Sequence, residues 1–323
     1  MKRLIGMLLA LMLAAMAGAA GAQPAPKYVL KAGHGGSTDT ASHLALVRFA
    51  DTLAKSTNGQ VKVEIYPDRQ LGEERELVEG LQLGSIDIAF VSNVSTFVPQ
   101  FAVLDIPFLF TDANHAYRVL DGKVGQDLQA AMVPKGLIGL AFWEGGWRHL
   151  TSKKPVVLPK DLQGMKIRTM QNPVHIEAFK KLGAAPIPMA WGEVFTSLGQ
   201  GVIDAEENPI SIIYTNSLWE VQKYVTLTGH LYGIHTLMIS KITWDKLPPD
   251  IQAKVRDAAK EATGYQRTLS AKMEAEQIEK LKQHGMVINK VDTAPFRAAT
   301  AEVATSLKTV DQAQLAAIRA QAQ

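Results

Sequence analysis

Residues 161–209 read DLQGMKIRTMQNPVHIEAFKKLGAAPIPMAWGEVFTSLGQGVIDAEENP, and the order of signals in them decides the fold. Residues 165–170 suit a short strand with Arg168 near its C-terminal end. Asn172 can cap a helix, and Pro173 suits a first helical position. Val174, Ala178 and Leu182 repeat at four, and Gly183 offers the stop. Residues 184–189 form a second strand; Trp191 opens a helix with Val194 and Leu198 on one face, and Gly201 ends it. Residues 202–205 make a third strand, leaving Glu206, Glu207 and Asn208 at its end. Strand–helix–strand–helix–strand predicts parallel pairing through right-handed crossovers. Ligands of such sheets bind outside the carboxyl ends of the strands. Arg168, Trp191 and Asn208 all fall at or just past such ends, so a cation, an aromatic plate and an amide would converge on one crevice.

Outside this stretch the composition excludes several classes. Residues 1–22 have the pattern of a cleaved secretory signal: Lys2 and Arg3, a short apolar run over 4–19, and small residues before Gln23. The run is short for a membrane span, so an exported, soluble chain in a bacterial periplasm is expected. The formal charge is +3, of which Lys2 and Arg3 carry two, and no case for nucleic acid remains. The absence of cysteine removes disulfides and thiolate chemistry. About 300 mature residues can bury a sizeable core without staples.

In chain order, residues 28–32 read as a strand, 33–36 as a glycine turn, 41–57 as a helix, 61–66 as a strand, 73–83 as a helix and 86–90 as a strand. LQLGSID at 81–87 and LGQGVID at 198–204 each end a helix and open a strand, so the chain contains two halves of one local plan. Residues 113–133 suit one helix and 137–143 a strand, while 144–148 break the pattern and mark a crossing between lobes. Strands are expected at 224–228 and 235–240. Residues 248 to about 284 form one helical pattern, long enough to lie across both lobes. The last forty residues read as alanine-rich helix.

Six motifs in order now carry a family likeness: QLGEEREL at 70–77, LQLGSID at 81–87, DLQGMKIR at 161–168, PMAWGE at 188–193, GVIDAEENP at 201–209 and EVQKY at 220–224. The chain resembles the periplasmic solute-binding subunit of tripartite ATP-independent (TRAP) transporters, the DctP family, over nearly all of its mature length. The resemblance implies an α/β, two-lobe periplasmic binding protein fold with mixed sheets, hinge strands and a long helix spanning both lobes. It implies lobe 1 at 23–145 with 234–273, and lobe 2 at 146–233 with 274–323. It implies a monomer that captures a small organic anion, delivers it to membrane permease subunits, uses no cofactor and catalyses nothing. A solute sensor presenting its ligand to a membrane receptor is the alternative.

Carried over by position, Arg168 pairs with the ligand carboxylate, Arg148 is a second basic contact, and Asn208 holds Arg168 or the ligand. Trp191 is an aromatic lid, and Glu74, Ser92, Asn93 and Gln171 fall where first-lobe and hinge contacts lie. His34 and His235 are weaker site candidates. The departures Ala205-Glu206-Glu207, the Gly33-His34-Gly35-Gly36 exit and Ser92 sit where substrates are chosen, and the carboxylate stays open between a C4-dicarboxylate and a sugar acid.

Arginine suits the task because its planar fork makes two parallel bonds to a carboxylate and keeps its proton. No histidine takes a metal-ligand spacing with acids. The pairs Glu73-Glu74 and Glu206-Glu207 imitate a hydrolase, but acids at a helix start and a strand-end turn are ordinary structural features. There is no G-x-S-x-G, Walker loop or dinucleotide fingerprint.

Overall fold

In a computed structural model, residues 25–322 are described; the expected signal segment lies outside them. Nine strands form one hydrogen-bonded sheet: β1 (Tyr28–Gly33), β2 (Val61–Tyr66), β3 (Ile88–Val91), β4 (Leu137–Ser152), β5 (Lys166–Thr169), β6 (Ala185–Pro188), β7 (Ala205–Pro209), β8 (Tyr224–Ser240) and β9 (Val287–Lys290). Their order is β2-β1-β3-β8-β4-β7-β5-β6, with β9 also on β8.

Two wings share the long strands β4 and β8. One wing places β1 parallel between β2 and β3; the other places β5 parallel between β6 and β7. The two LxxGxID segments explain the likeness. Gly84 and Gly201 end their helices at φ 72° and 74°, a left-handed turn that glycine adopts without penalty. Asp87 then accepts from the Lys31 backbone N–H at 2.8 Å, and Asp204 from that of Lys166 at 3.0 Å. Each aspartate pins the start of its strand to the central strand of its wing.

Several expectations change. The break foreseen at 144–148 is instead a bulged stretch of continuous strand. β4 pairs antiparallel with β8 from Leu137 opposite Ser240 to Ser152 opposite Tyr224, and its register slips at Gly139/Ala141, Glu144/Gly146 and Arg148/Leu150. The strands foreseen at 224–228 and 235–240 are therefore one. Glycines permit the close approach: a Cβ on Gly145 would lie 2.9 Å from the Gly233 carbonyl oxygen. Gly122 divides the helix foreseen at 113–133 into Ala113–Asp121 and Lys123–Met132, because a Cβ there would meet the Arg118 carbonyl oxygen at 2.6 Å. β7 starts three residues later than expected. Its partner is β4, from Arg148 opposite Pro209 to Ser152 opposite Ala205, which buries Glu206 and Glu207 inside a strand rather than in a turn.

The helix Pro249–Gln283 runs for 35 residues, about 52 Å at 1.5 Å per residue. Val255, Ala258 and Ala262 pack into the core around Phe49 and Trp143 of the first wing, and Leu281 into the core around Leu198 and Ile213 of the second. The last forty residues are not continuous helix. They give β9, which extends β8 beyond Tyr224, and the short helices Ala294–Thr300, Val303–Ser306 and Gln312–Arg319. The last of these returns to the first wing: His115 Nε2 lies 2.9 Å from the Ile318 carbonyl oxygen, and Leu315 and Ile318 share a core with Leu128. Residues 312–319, expected with the second lobe, thus pack an apolar helix face into the first-wing core.

Candidate functional site

A cavity of about 570 Å³ lies between the wings. Arg168, Arg148, Asn208, Trp191, Gln171, Glu74, Ser92, Asn93 and His235 are on its wall. His34 is not among them. It sits behind the wall, stacked on Phe90 at 4.6 Å, with Nε2 3.0 Å from His43 Nδ1.

Arg168 leaves the end of β5 and is 4% exposed. Its Nε and Nη2 donate to the Met189 carbonyl at 3.0 and 2.9 Å, and its guanidinium carbon is 5.4 Å from the centre of the Trp191 ring. Those contacts occupy one edge of the fork. The Nη1/Nη2 end is left for a ligand, and among the described residues no carboxylate lies within ion-pair distance of it. Burial lowers the pKa of Arg168, as expected of a cation held out of water without a direct counter-ion. The Trp191 indole donates to Asn216 Oδ1 at 3.3 Å, which fixes the plate against the guanidinium.

Arg148 differs. Its Nε and Nη2 meet Glu207 Oε2 and Oε1 at 2.6 and 2.8 Å, and Nη2 also donates to the Glu207 carbonyl and to Asn208 Oδ1. Asn208 thus holds Arg148, not Arg168 as one of its expected roles had it, because β7 sets it beside β4. Burial would lower Arg148, but Glu207 outweighs it and the pKa rises. Glu207 is held well below the usual carboxylate range against the pull of burial, by Arg148, His175 and His230. His175 lies between Asp105 and Glu207 at 3.6 and 3.7 Å, and His230 Nε2 is 3.1 Å from Glu207. Glu206, which accepts from Thr151 at 2.7 Å, is pushed up to about 7 by burial. This network was not readable from spacing, since its members come from β4, β7, β8, a helix and a loop.

From the first wing, the Glu74 carboxylate accepts the backbone N–H groups of Ser92 and Asn93 at 2.7 and 3.0 Å and so shapes the exit of β3. Asn93 Nδ2 donates to the Gln171 carbonyl at 3.2 Å, joining the wings beside the cavity. Across the mouth, the Gly192 N–H donates to Glu73 Oε1 at 3.0 Å. His235 Nδ1 is 2.9 Å from Ser42 Oγ.

Burial, the largest cause in each case, holds His34 and His149 down to about 3 and His235 to about 4, from the ordinary 6.5. Their folded values lie below the unfolded ones, so unfolding takes up protons once the pH falls below about 6.5. Their stabilising share is complete above that pH and is lost as it drops towards 4. Glu206 and His175, both raised, act in the opposite direction. His43 and His230, both lowered, add to the first group. Thermal unfolding is therefore expected to show Tm falling between pH 7 and pH 4; a flat or rising Tm would contradict neutral buried imidazoles.

The family model described as bacterial extracellular solute-binding protein, family 7 (DctP), matches residues 32–309. The chain is 41% identical over 271 residues to the 2,3-diketo-L-gulonate-binding periplasmic protein of Escherichia coli, covering 83% of each. It is similar to a solved TRAP periplasmic solute-binding protein from Polaromonas bound to D-erythronate, with 41% identity, a TM-score of 0.88 and coverage of 91% of this chain and 98% of that one. A TRAP solute-binding protein from Roseobacter denitrificans with bound L-galactonate has 34% identity, a TM-score of 0.88 and coverage of 93% and 100%.

Proposed function

As the chain belongs to the bacterial extracellular solute-binding protein family 7, we propose that it captures a small organic carboxylate, a sugar acid or a C4-dicarboxylate. It closes over the ligand and delivers it to the membrane subunits of an ion-coupled TRAP transporter. It works in the periplasm as a monomer and without catalysis. The lobes divide at the Gly145-Gly146 bulge of β4 and near Gly233 of β8.

The observation that carries this reading is the buried Arg168 guanidinium on the cavity wall, its outer fork unused and, among the described residues, no carboxylate within ion-pair distance. A ligand carboxylate supplies the missing counter-ion through two charge-assisted bonds, each worth about 1.5–3 kcal/mol. Trp191 covers the pair, while Asn208, Arg148, Ser92, Asn93, Gln171 and His235 complete the wall. Glu74 acts mainly by shaping the Ser92-Asn93 exit.

Thermal unfolding in the presence of a panel of organic acids tests the proposal. A true ligand at a hundred times its Kd should add about 2.7 kcal/mol of stability and be recovered unchanged. A panel in which no carboxylate raises Tm, or in which one is turned over, would overturn it.

A further inference from the structure

The cavity wall carries charges of both signs. Arg148 and Arg168 act on each other and on Glu206 and Glu207. Arg148 is neutralised by Glu207, which leaves Arg168 as the cation open to a ligand. Glu144 of β4 and Glu274 of the long helix also line the cavity, and neither arginine is among the groups that act on them. Glu144 lies four residues before Arg148 on β4, on the far side of the Gly145-Gly146 bulge. Ser270, Met273 and Glu274 share one helical face towards the cavity, as the three- and four-residue spacing requires.

Neither acid has a cation of its own among the described residues. Glu144, 6% exposed, accepts a 2.6 Å hydrogen bond from the Tyr117 hydroxyl. The nearby Arg267 is taken by a two-pronged pair with Asp121 at 2.6 and 2.8 Å. Glu274 makes no hydrogen bond or ion pair among the described residues. Burial raises both acids, and Glu144 raises Glu274 further, which places the two carboxyl groups within electrostatic reach of each other.

We infer that this cavity selects acids with a single carboxylate and a hydroxylated tail, Arg168 taking the carboxylate while Glu144 and Glu274 accept hydrogen bonds from hydroxyls and repel a second carboxylate. The inference rests on the proposed capture of a carboxylate in this cavity and narrows its class to singly charged polyhydroxy acids. The chemistry is one-sided: an ionised carboxyl only accepts hydrogen bonds, so it rewards a hydroxyl donor and opposes another anion.

Calorimetric titration of the mature chain at neutral pH with matched aldonates and aldarates of four, five and six carbons, and with succinate, tests this. The best aldonate should bind at least tenfold more tightly than its own aldarate and than succinate. The double variant Glu144→Gln, Glu274→Gln should shrink the aldonate-to-aldarate ratio at least threefold. Should the double variant not fold, Glu274→Gln alone, at a half-buried helical position, should shrink it in the same direction. An aldarate or succinate binding as tightly as the aldonate, or a folded variant with an unchanged ratio, would overturn the inference and leave carboxylate capture standing. Binding of none of these acids would overturn both.

Discussion

Replacing Arg168 with alanine is expected to lower affinity for the captured acid by about a hundredfold or more, while the ligand-free protein unfolds at the same or a higher temperature. Two charge-assisted bonds at roughly 1.5–3 kcal/mol each set the size of the loss. The stability half of the prediction follows from the same geometry. In the free protein this cation is 4% exposed, and its hydrogen-bond and ring partners among the described residues are the Met189 carbonyl and the Trp191 face. Removing a buried charge that lacks a direct counter-ion relieves a desolvation cost, the usual opposition between stability and a functional group. Arg168→Lys should still lose at least tenfold, because an ammonium cannot bond Met189 and present a flat fork together. Calorimetry and thermal unfolding of both variants check this. Native-like affinity in Arg168→Ala would remove the guanidinium from the binding site.

Glu207→Gln should act in the opposite sense, costing about 3–5 kcal/mol of folding stability. Glu207 is fully buried, and its carboxylate meets Arg148 twice and His230 once, with His175 3.7 Å away. An amide leaves Arg148 as an uncompensated interior cation. At roughly 2–4 °C per kcal/mol for a chain of this size class, Tm should drop by about 6–20 °C. Adding Arg148→Met to Glu207→Gln should recover much of that loss, since it removes the interior cation that the amide leaves uncompensated. A Glu207→Gln protein as stable as the parent would show that the pair contributes nothing.

Features legible in the sequence were those fixed by neighbours along the chain. Gly84 with Asp87 and Gly201 with Asp204 each settle a helix end and a strand start within a few residues, so the two matching wings could be read. Arg168 and Trp191 could be placed because each follows its own strand or turn directly. The long helix was legible from its unbroken pattern. Pairing between distant strands was not. The bulges of β4 looked like a break because Gly145 and Gly146 are poor strand residues until Gly233 lies opposite them. Glu206 and Glu207 read as acids of a strand-end turn because nothing nearby in sequence announces that β4 will cover them. Arg148 looked free for the same reason. The helix Gln312–Arg319 reads only as alanine-rich helix, and its packing partner is unreadable until the first-wing core that it completes is known.

The glycine bulge midway along β4, with Gly233 of β8 opposite it, has a mechanical consequence. Two strands bonded over two long stretches, with one gap at 149 and 227–230, make a flexure, like a leaf spring, rather than a slack tether. Swinging one wing against the other is a twist shared over several backbone hydrogen bonds, with no segment set loose. A joint of that kind favours one resting alignment of the two walls over a spread of them.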